Sequence, residues 1–226
     1  MRVRKLSELI ESGSAQAISA RFLTDPFLPL PPPQKSLLIK GGARQNQRAR
    51  RAKILASTRR LLTEQGCEEV TVREIAENSG FALQTIYNLV GPRDLAITDA
   101  ISEYNLFLGR VAARNEGAPS LQQLVDVWIS ATEECPEFAR QCNLIFFSPS
   151  RHIYYRFRDI QIRGMAKLLR HQLEHGYLYF RSPPRLLAEQ LVFFATALWT
   201  DWADRPYPLE ALRDKLQSGF AKLLRD

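Results

Sequence analysis

"EIAENSGFALQTIYNLV", residues 74–90, carries an apolar pattern of helical spacing that stops at Ser79-Gly80-Phe81 and resumes at Leu83. Just upstream, Thr71 followed three residues later by Glu74 has the form of a capping box and predicts a short helix over 72–78. Gly80 tolerates the positive φ that a tight turn requires, and Ile75, Ala76, Leu83 and Ile86 have the spacing to lock two short helices together. A helix, a glycine turn and a second helix set steeply to the first form a helix-turn-helix, whose second helix fits the DNA major groove. The plain alternative for such spacing is a helical hairpin inside any all-α protein.

The flanks are helical as well. A first helix is expected from Arg48, with Ile54, Leu55, Thr58, Leu61 and Leu62 on one face and Gly66 at its end. The helix after the turn spans about 83–89, and a fourth starts after Gly91-Pro92 and runs to about Arg114. Ser120 can cap a helix over 121–134, and Pro136 closes it and opens another that reaches Phe147. A long helix with Ile153, Phe157, Ile160, Met165 and Leu169 follows, ending at Gly176. Ser182-Pro183 starts the next, to about Ala203, and the last runs from Pro208. The run "YLYF" (177–180) is the one β-like stretch.

Composition bounds the partners. With 226 residues, 45% hydrophobic and 24% charged, the chain has material for one or two cores. Residues 1–60 hold thirteen Lys/Arg against three Asp/Glu, and the remainder eighteen against twenty-one, so the basic character is local and points to a polyanion at the N-terminal side. Cys67, Cys135 and Cys142 form no CxxC pair and read as buried thiols of a reducing compartment. No signal peptide is expected, and the longest apolar run, 191–199, falls far short of the roughly 20 residues that cross a bilayer, so a cytoplasmic protein without a membrane partner is expected. Residues 1–45, with "LTDPFLPLPPPQKS", cannot sustain a helix or central strand and read as a flexible Pro-containing arm, in which Leu6, Leu9, Ile10, Ala17 and Ile18 could form a short amphipathic helix.

The longer stretch "TVREIAENSGFALQTIYNLVGPRDL" (71–95) resembles the signature of the TetR family of bacterial transcriptional regulators. The resemblance covers Arg48 to about Tyr104, with Gly66, Thr71, Ile75-Ala76, Gly80, Thr85-Ile86-Tyr87 and the "PRDL" opening of the fourth helix. Ala82 stands in place of the usual Ser cap, Gln84 where Gly is common, and Leu89-Val90 in place of an aromatic pair. The resemblance implies an all-α fold: an N-terminal three-helix helix-turn-helix DNA-binding domain (46–93) after the arm, followed by an α-helical ligand-binding and dimerisation domain (94–226). It also implies a non-enzymatic regulator without cofactor or metal, most often a repressor. The expected partners are double-stranded DNA with an inverted-repeat operator, a second copy of the chain, and a small hydrophobic or aromatic effector.

Within this frame, Gln84 and Asn88 are amides suited to pair with base edges, and Leu83 could touch a thymine methyl. Thr71, Arg73, Thr85 and Tyr87 suit phosphate oxygens, and Arg93 takes the place of the family's usual phosphate-binding Lys. Arg48 and Arg51, in the basic run "RQNQRARRAK" (44–53), add electrostatic attraction unless that run is simply solvated. Among the many aromatic residues of the second half, Phe107, Trp128, Phe147, Tyr154, Phe157 and Trp199 are the candidates for an apolar effector pocket. Leu191, Leu198 and Trp202 on one helix, with Leu212, Leu216 and Phe220 on the next, are the candidates for a dimer face; otherwise both stripes serve the monomer core. Two other functions stay open at this point. "HQLEH" places His171, Glu174 and His175 in the H-x-x-E-H pattern of a zinc-dependent hydrolase, and a basic arm on a helical protein could bind nucleic acid in an architectural, sequence-independent way.

Overall fold

The computed structural model describes residues 25–31, 42–113 and 119–225. The amphipathic helix expected around Leu6 to Ile18 lies outside these residues. In chain order the helices are α1 (Gly42–Gln65), α2 (Val72–Ser79), α3 (Leu83–Leu89), α4 (Arg93–Ala113), α5 (Leu121–Glu134), α6 (Pro136–Leu144), α7 (Arg151–Glu174), α8 (Pro184–Asp204) and α9 (Leu209–Leu223). Among the described residues there is no strand, including at 177–180, so the fold is all-α as expected. Expected boundaries move at two places, and the end of the fourth helix, expected at about Arg114, lies outside the described residues. α1 begins six residues before Arg48, and the helix expected to reach Phe147 ends at Leu144 and tightens into a 3-10 turn, Ile145–Phe147.

The chain divides into two compact units between Tyr104 and Asn105. In the first, α1 packs on α2 and α3. Its apolar stripe is buried as the spacing predicts: Ile54, Leu55, Thr58 and Leu62 are fully enclosed, and the Thr58 hydroxyl is satisfied by Ile54 O at 2.9 Å. Ile75, Ile86, Ile97 and Ile101 complete this core. Each such aliphatic side chain contributes about 1.5–3 kcal/mol by leaving water.

One fully buried residue breaks the apolar stripe. Arg59 lies on the same face as Leu55 and Leu62, and its guanidinium meets carbonyls of residues 25–31. Pro26 and Leu28, within the part of the chain expected as a flexible arm, are thus held against α1. The physical reason is a buried cation that needs acceptors, together with Leu30, which is itself buried.

In the second unit α8 is central, packing on α6, α7 and α9, while α5 packs on α6 and α9. Leu187, Leu191, Ala195, Trp199 and Trp202 of α8 meet Leu212, Leu216 and Phe220 of α9 and Leu124, Val125 and Ile129 of α5 in one core. The Trp199 and Trp202 rings sit edge to face, 5.8 Å apart. Polar atoms are paired across it: Gln172 Nε2 donates to Pro119 O at 2.8 Å, and Trp202 Nε1 to Tyr207 O at 3.0 Å. Of the three cysteines, Cys67 is buried, whereas Cys135, at the junction of α5 and α6, and Cys142 are half-buried, which corrects the expectation of three buried thiols.

Candidate nucleic-acid interface and effector region

The turn that opened the sequence is built by local hydrogen bonds. Thr71 Oγ1 accepts from Glu74 N–H at 3.2 Å, while the Glu74 carboxylate accepts from the Thr71 hydroxyl at 2.8 Å and from its N–H at 2.9 Å. These bonds, the hydroxyl's first, hold the Glu74 carboxyl below the usual carboxylate range. At the other end of α2, Gly80 takes φ 72 and ψ 25. Its N–H bonds to Glu77 O at 3.3 Å and that of Phe81 to Ala76 O at 3.1 Å, a Schellman closure that a side chain at Gly80 would strain.

The chain then enters α3 without a side-chain cap, because Ala82 has no acceptor to offer. Ile86 is fully buried and fixes the inner face of α3. Leu83, Gln84, Tyr87 and Asn88, at positions i, i+1, i+4 and i+5, make the outer face and are all exposed, with Thr85 half-buried at its edge. The amides of Gln84 and Asn88 meet at 3.0 Å, so they are held side by side at the surface. Arg73 extends from α2 with its side chain 86% exposed, 3.1 Å from Glu77. Between the two helices runs an open groove lined by Arg73, Ala76, Glu77, Gly80, Phe81 and Leu83. An exposed apolar and amide edge beside a cation is the surface that major-groove readout requires.

Two of the other residues expected here, Arg93 and Arg51, are held by groups of their own unit. Arg93 points inward: Nε donates to Val70 O at 2.6 Å, Nη2 to Cys67 O, and Nη1 to Asp94 at 2.7 Å. Nε and Nη2 thus tie the start of α4 to carbonyls of the loop between α1 and α2. Arg51 is drawn to α4, 2.7 Å from Asp99 and 3.6 Å from Glu103. Thr71 is engaged in its capping box. Arg48 is exposed on α1.

The six effector candidates do not gather at one place. Trp128 and Trp199 belong to the α5–α8–α9 core. Tyr154 and Phe157 instead surround Phe146, at ring distances of 5.4 and 6.1 Å. Phe107 is buried on α4, and Phe147 is 64% exposed because the 3-10 turn rotates it outward. Five of the six dimer candidates, Leu191, Trp202, Leu212, Leu216 and Phe220, are buried within the chain's own core, and Leu198 is half-buried. The outward face of α8 carries Leu186 and Phe193 instead, each nearly half exposed. Sequence periodicity marks both faces of such a helix as apolar, and only the burial separates them.

The H-x-x-E-H pattern does not assemble into a cluster. His171 and His175 stack ring on ring at 4.0 Å, and His175 Nδ1 lies 2.8 Å from His171 O. Among the described residues no three His, Cys, Asp or Glu side chains converge as metal ligands do. No helix among them is long and apolar enough to cross a membrane.

Residues 54–88 match the model of the family described as bacterial regulatory proteins, tetR family. No curated protein matches the chain in sequence. Among solved structures, a putative TetR-family transcriptional regulator from Rhodococcus sp. superposes with a TM-score of 0.62 at 16% identity, over 77% of this chain and 98% of that one. The fatty acid degradation regulator FadR of Bacillus halodurans follows with 0.56 at 19%, over 82% and 96%. Thermus thermophilus FadR, a TetR-family transcriptional repressor in complex with lauroyl-CoA, gives 0.55 at 18%, over 77% and 93%. Residues 54–88 thus match the DNA-binding segment of the TetR family, and the fold is TetR-like.

Proposed function

We propose that this chain, with its TetR-family reading head, is a dimeric, sequence-specific transcriptional repressor that leaves an inverted-repeat operator when a small ligand binds its second unit. The observation that carries the reading is the outer face of α3: Leu83, Gln84, Tyr87 and Asn88 exposed together on a helix pinned by Ile86. Gln84 and Asn88 read base edges, Leu83 a thymine methyl, and Tyr87, Thr85, Arg73 and Arg48 position the phosphate backbone. The reading is of a cytoplasmic, non-enzymatic protein.

Dimerisation through Leu186 and Phe193 of α8 supplies two reading heads, since one helix-turn-helix reads few base pairs. The effector is hydrophobic or aromatic, received near Tyr154 and Phe157 or near Trp128 and Trp199. The lauroyl-CoA held by the Thermus relative supports an apolar chain as part of such a ligand. Ligand binding lowers operator affinity only to the extent that the ligand prefers the non-binding arrangement of the dimer.

Selection of the full chain on a random duplex-DNA pool at near-physiological salt tests this. Enrichment of an inverted repeat with fixed half-site spacing is expected, and Gln84→Ala should relax one or two base positions by about 1–3 kcal/mol of discrimination. Retention of DNA without an enriched sequence would favour the architectural reading instead.

A further inference from the structure

The fully buried arginine of α1 draws partners from two segments, residues 25–31 and α4. Arg59 Nε donates to Pro26 O at 2.5 Å and Nη2 to Leu28 O at 2.9 Å; Nη1 reaches Ala100 O at 3.3 Å and Glu103 at 3.2 Å on α4. The segment "DPFLPLP" (25–31) is shaped to present those carbonyls. Asp25 closes a turn, its carboxylate accepting from Phe27 N–H at 3.0 Å and its carbonyl from Leu28 N–H at 3.4 Å. Pro26 and Leu30 are buried, and the Phe27 ring lies 5.8 Å beneath the Arg60 guanidinium. The turn thus sets two carbonyls of a proline-rich segment on one buried guanidinium while Pro26 and Leu30 are covered, which satisfies the donors of a cation that water does not reach.

We propose that Arg59, Arg60, Ala100 and Glu103 form a peptide-binding site whose occupant is the chain's own residues 25–31, and that operator binding requires the occupied state. The link is physical. With the segment gone, two guanidinium donors lose their acceptors in a buried place, so Arg59 must turn toward water and release Ala100 O and Glu103. α1 then loses this tie to α4, and α1 is the helix on which α2 and α3 pack. The DNA part of the proposal rests on the repressor reading above; occupancy of the site does not.

The test uses the full chain and a Leu30→Asp variant, which places a charge in the covered position. Chymotryptic cleavage after Phe27 reads occupancy without DNA. In the unaltered chain it should run at least 100-fold slower than in the free peptide DPFLPLP, and Leu30→Asp should restore most of the peptide's rate. Affinity for the selected operator should fall at least tenfold in Leu30→Asp, and millimolar DPFLPLP should recover part of it. Peptide-like cleavage in the unaltered chain overturns the proposal even if that chain binds DNA well. Release of the segment with operator affinity unchanged within twofold overturns its control of DNA binding. Should the unaltered chain bind no DNA, the repressor reading fails while the cleavage comparison still decides occupancy. If Leu30→Asp does not fold, Leu30→Ala takes its place with the same readouts and a smaller expected change.

Discussion

Replacing Arg93 by Met separates a brace from a phosphate contact. Met keeps most of the aliphatic stem and removes the three donations, to Val70 O, Cys67 O and Asp94. A hydrogen bond from a charged donor contributes about 1.5–3 kcal/mol when its acceptor is not otherwise satisfied. The pair with Asp94 is partly solvated, with the two side chains 23% and 29% exposed, and adds little. The two loop carbonyls therefore dominate, and the sum, reduced for partial access of water, comes to about 2–4 kcal/mol of the first unit's stability. Urea unfolding followed by far-ultraviolet circular dichroism measures it. A salt titration of operator affinity supplies the second axis, because loss of one phosphate contact lowers the slope of log K against log salt by about 0.9. Arg93→Met should lower the urea midpoint and leave that slope unchanged. A variant as stable as the parent within about 0.5 kcal/mol, with a slope reduced by about one contact, would refute the assignment of Arg93 to the loop.

Two further outcomes follow from the same geometry. A Cβ at Gly219 would run into the Phe194 ring, which is packed on Phe220 at 6.2 Å, so Gly219→Ala should destabilise. The overpacking cost of about 1–3 kcal/mol exceeds the roughly 1 kcal/mol that Ala gains over Gly in a helix, and a raised melting temperature would show the ring free to move. Glu74→Gln should remove a pH dependence: the Glu74 carboxyl titrates below its unfolded value because of Thr71, so its ionisation stabilises the fold above the unfolded value and ceases to as pH falls through the folded one. The stability difference between parent and variant should therefore shrink on acidification below about pH 4, the ordinary carboxylate range, and a pH-independent difference sinks the argument.

Much of the reading head was legible from residues a few positions apart. The Thr71–Glu74 box, the left-handed Gly80, the burial of Ile75, Ala76 and Ile86 and the outward Gln84 and Asn88 all follow from spacing, because each is decided by the backbone of one or two turns. Side chains long enough to choose among distant acceptors were not legible in this way. Arg93 and Arg51 look like DNA contacts in sequence, yet carbonyls 23 and 26 residues away and carboxylates on α4 hold them. Arg59 had a readable signal, an arginine in register with Leu55 and Leu62, but nothing near it in sequence names its acceptors.

By itself, the sequence determined the order of helices, the Thr71 and Ser120 caps, the glycine turn and the resemblance of residues 54–88 to the TetR family, since these depend on near neighbours along the chain. Tertiary structure decided which stripe of α8 is core and which is surface. It also decided that Phe147 faces water while Phe157 does not, and that a proline-rich segment, unable to make a helix of its own, docks on a buried guanidinium. Those outcomes turn on burial and on unsatisfied polar groups brought together from more than thirty residues apart, and such distances carry no periodicity to read.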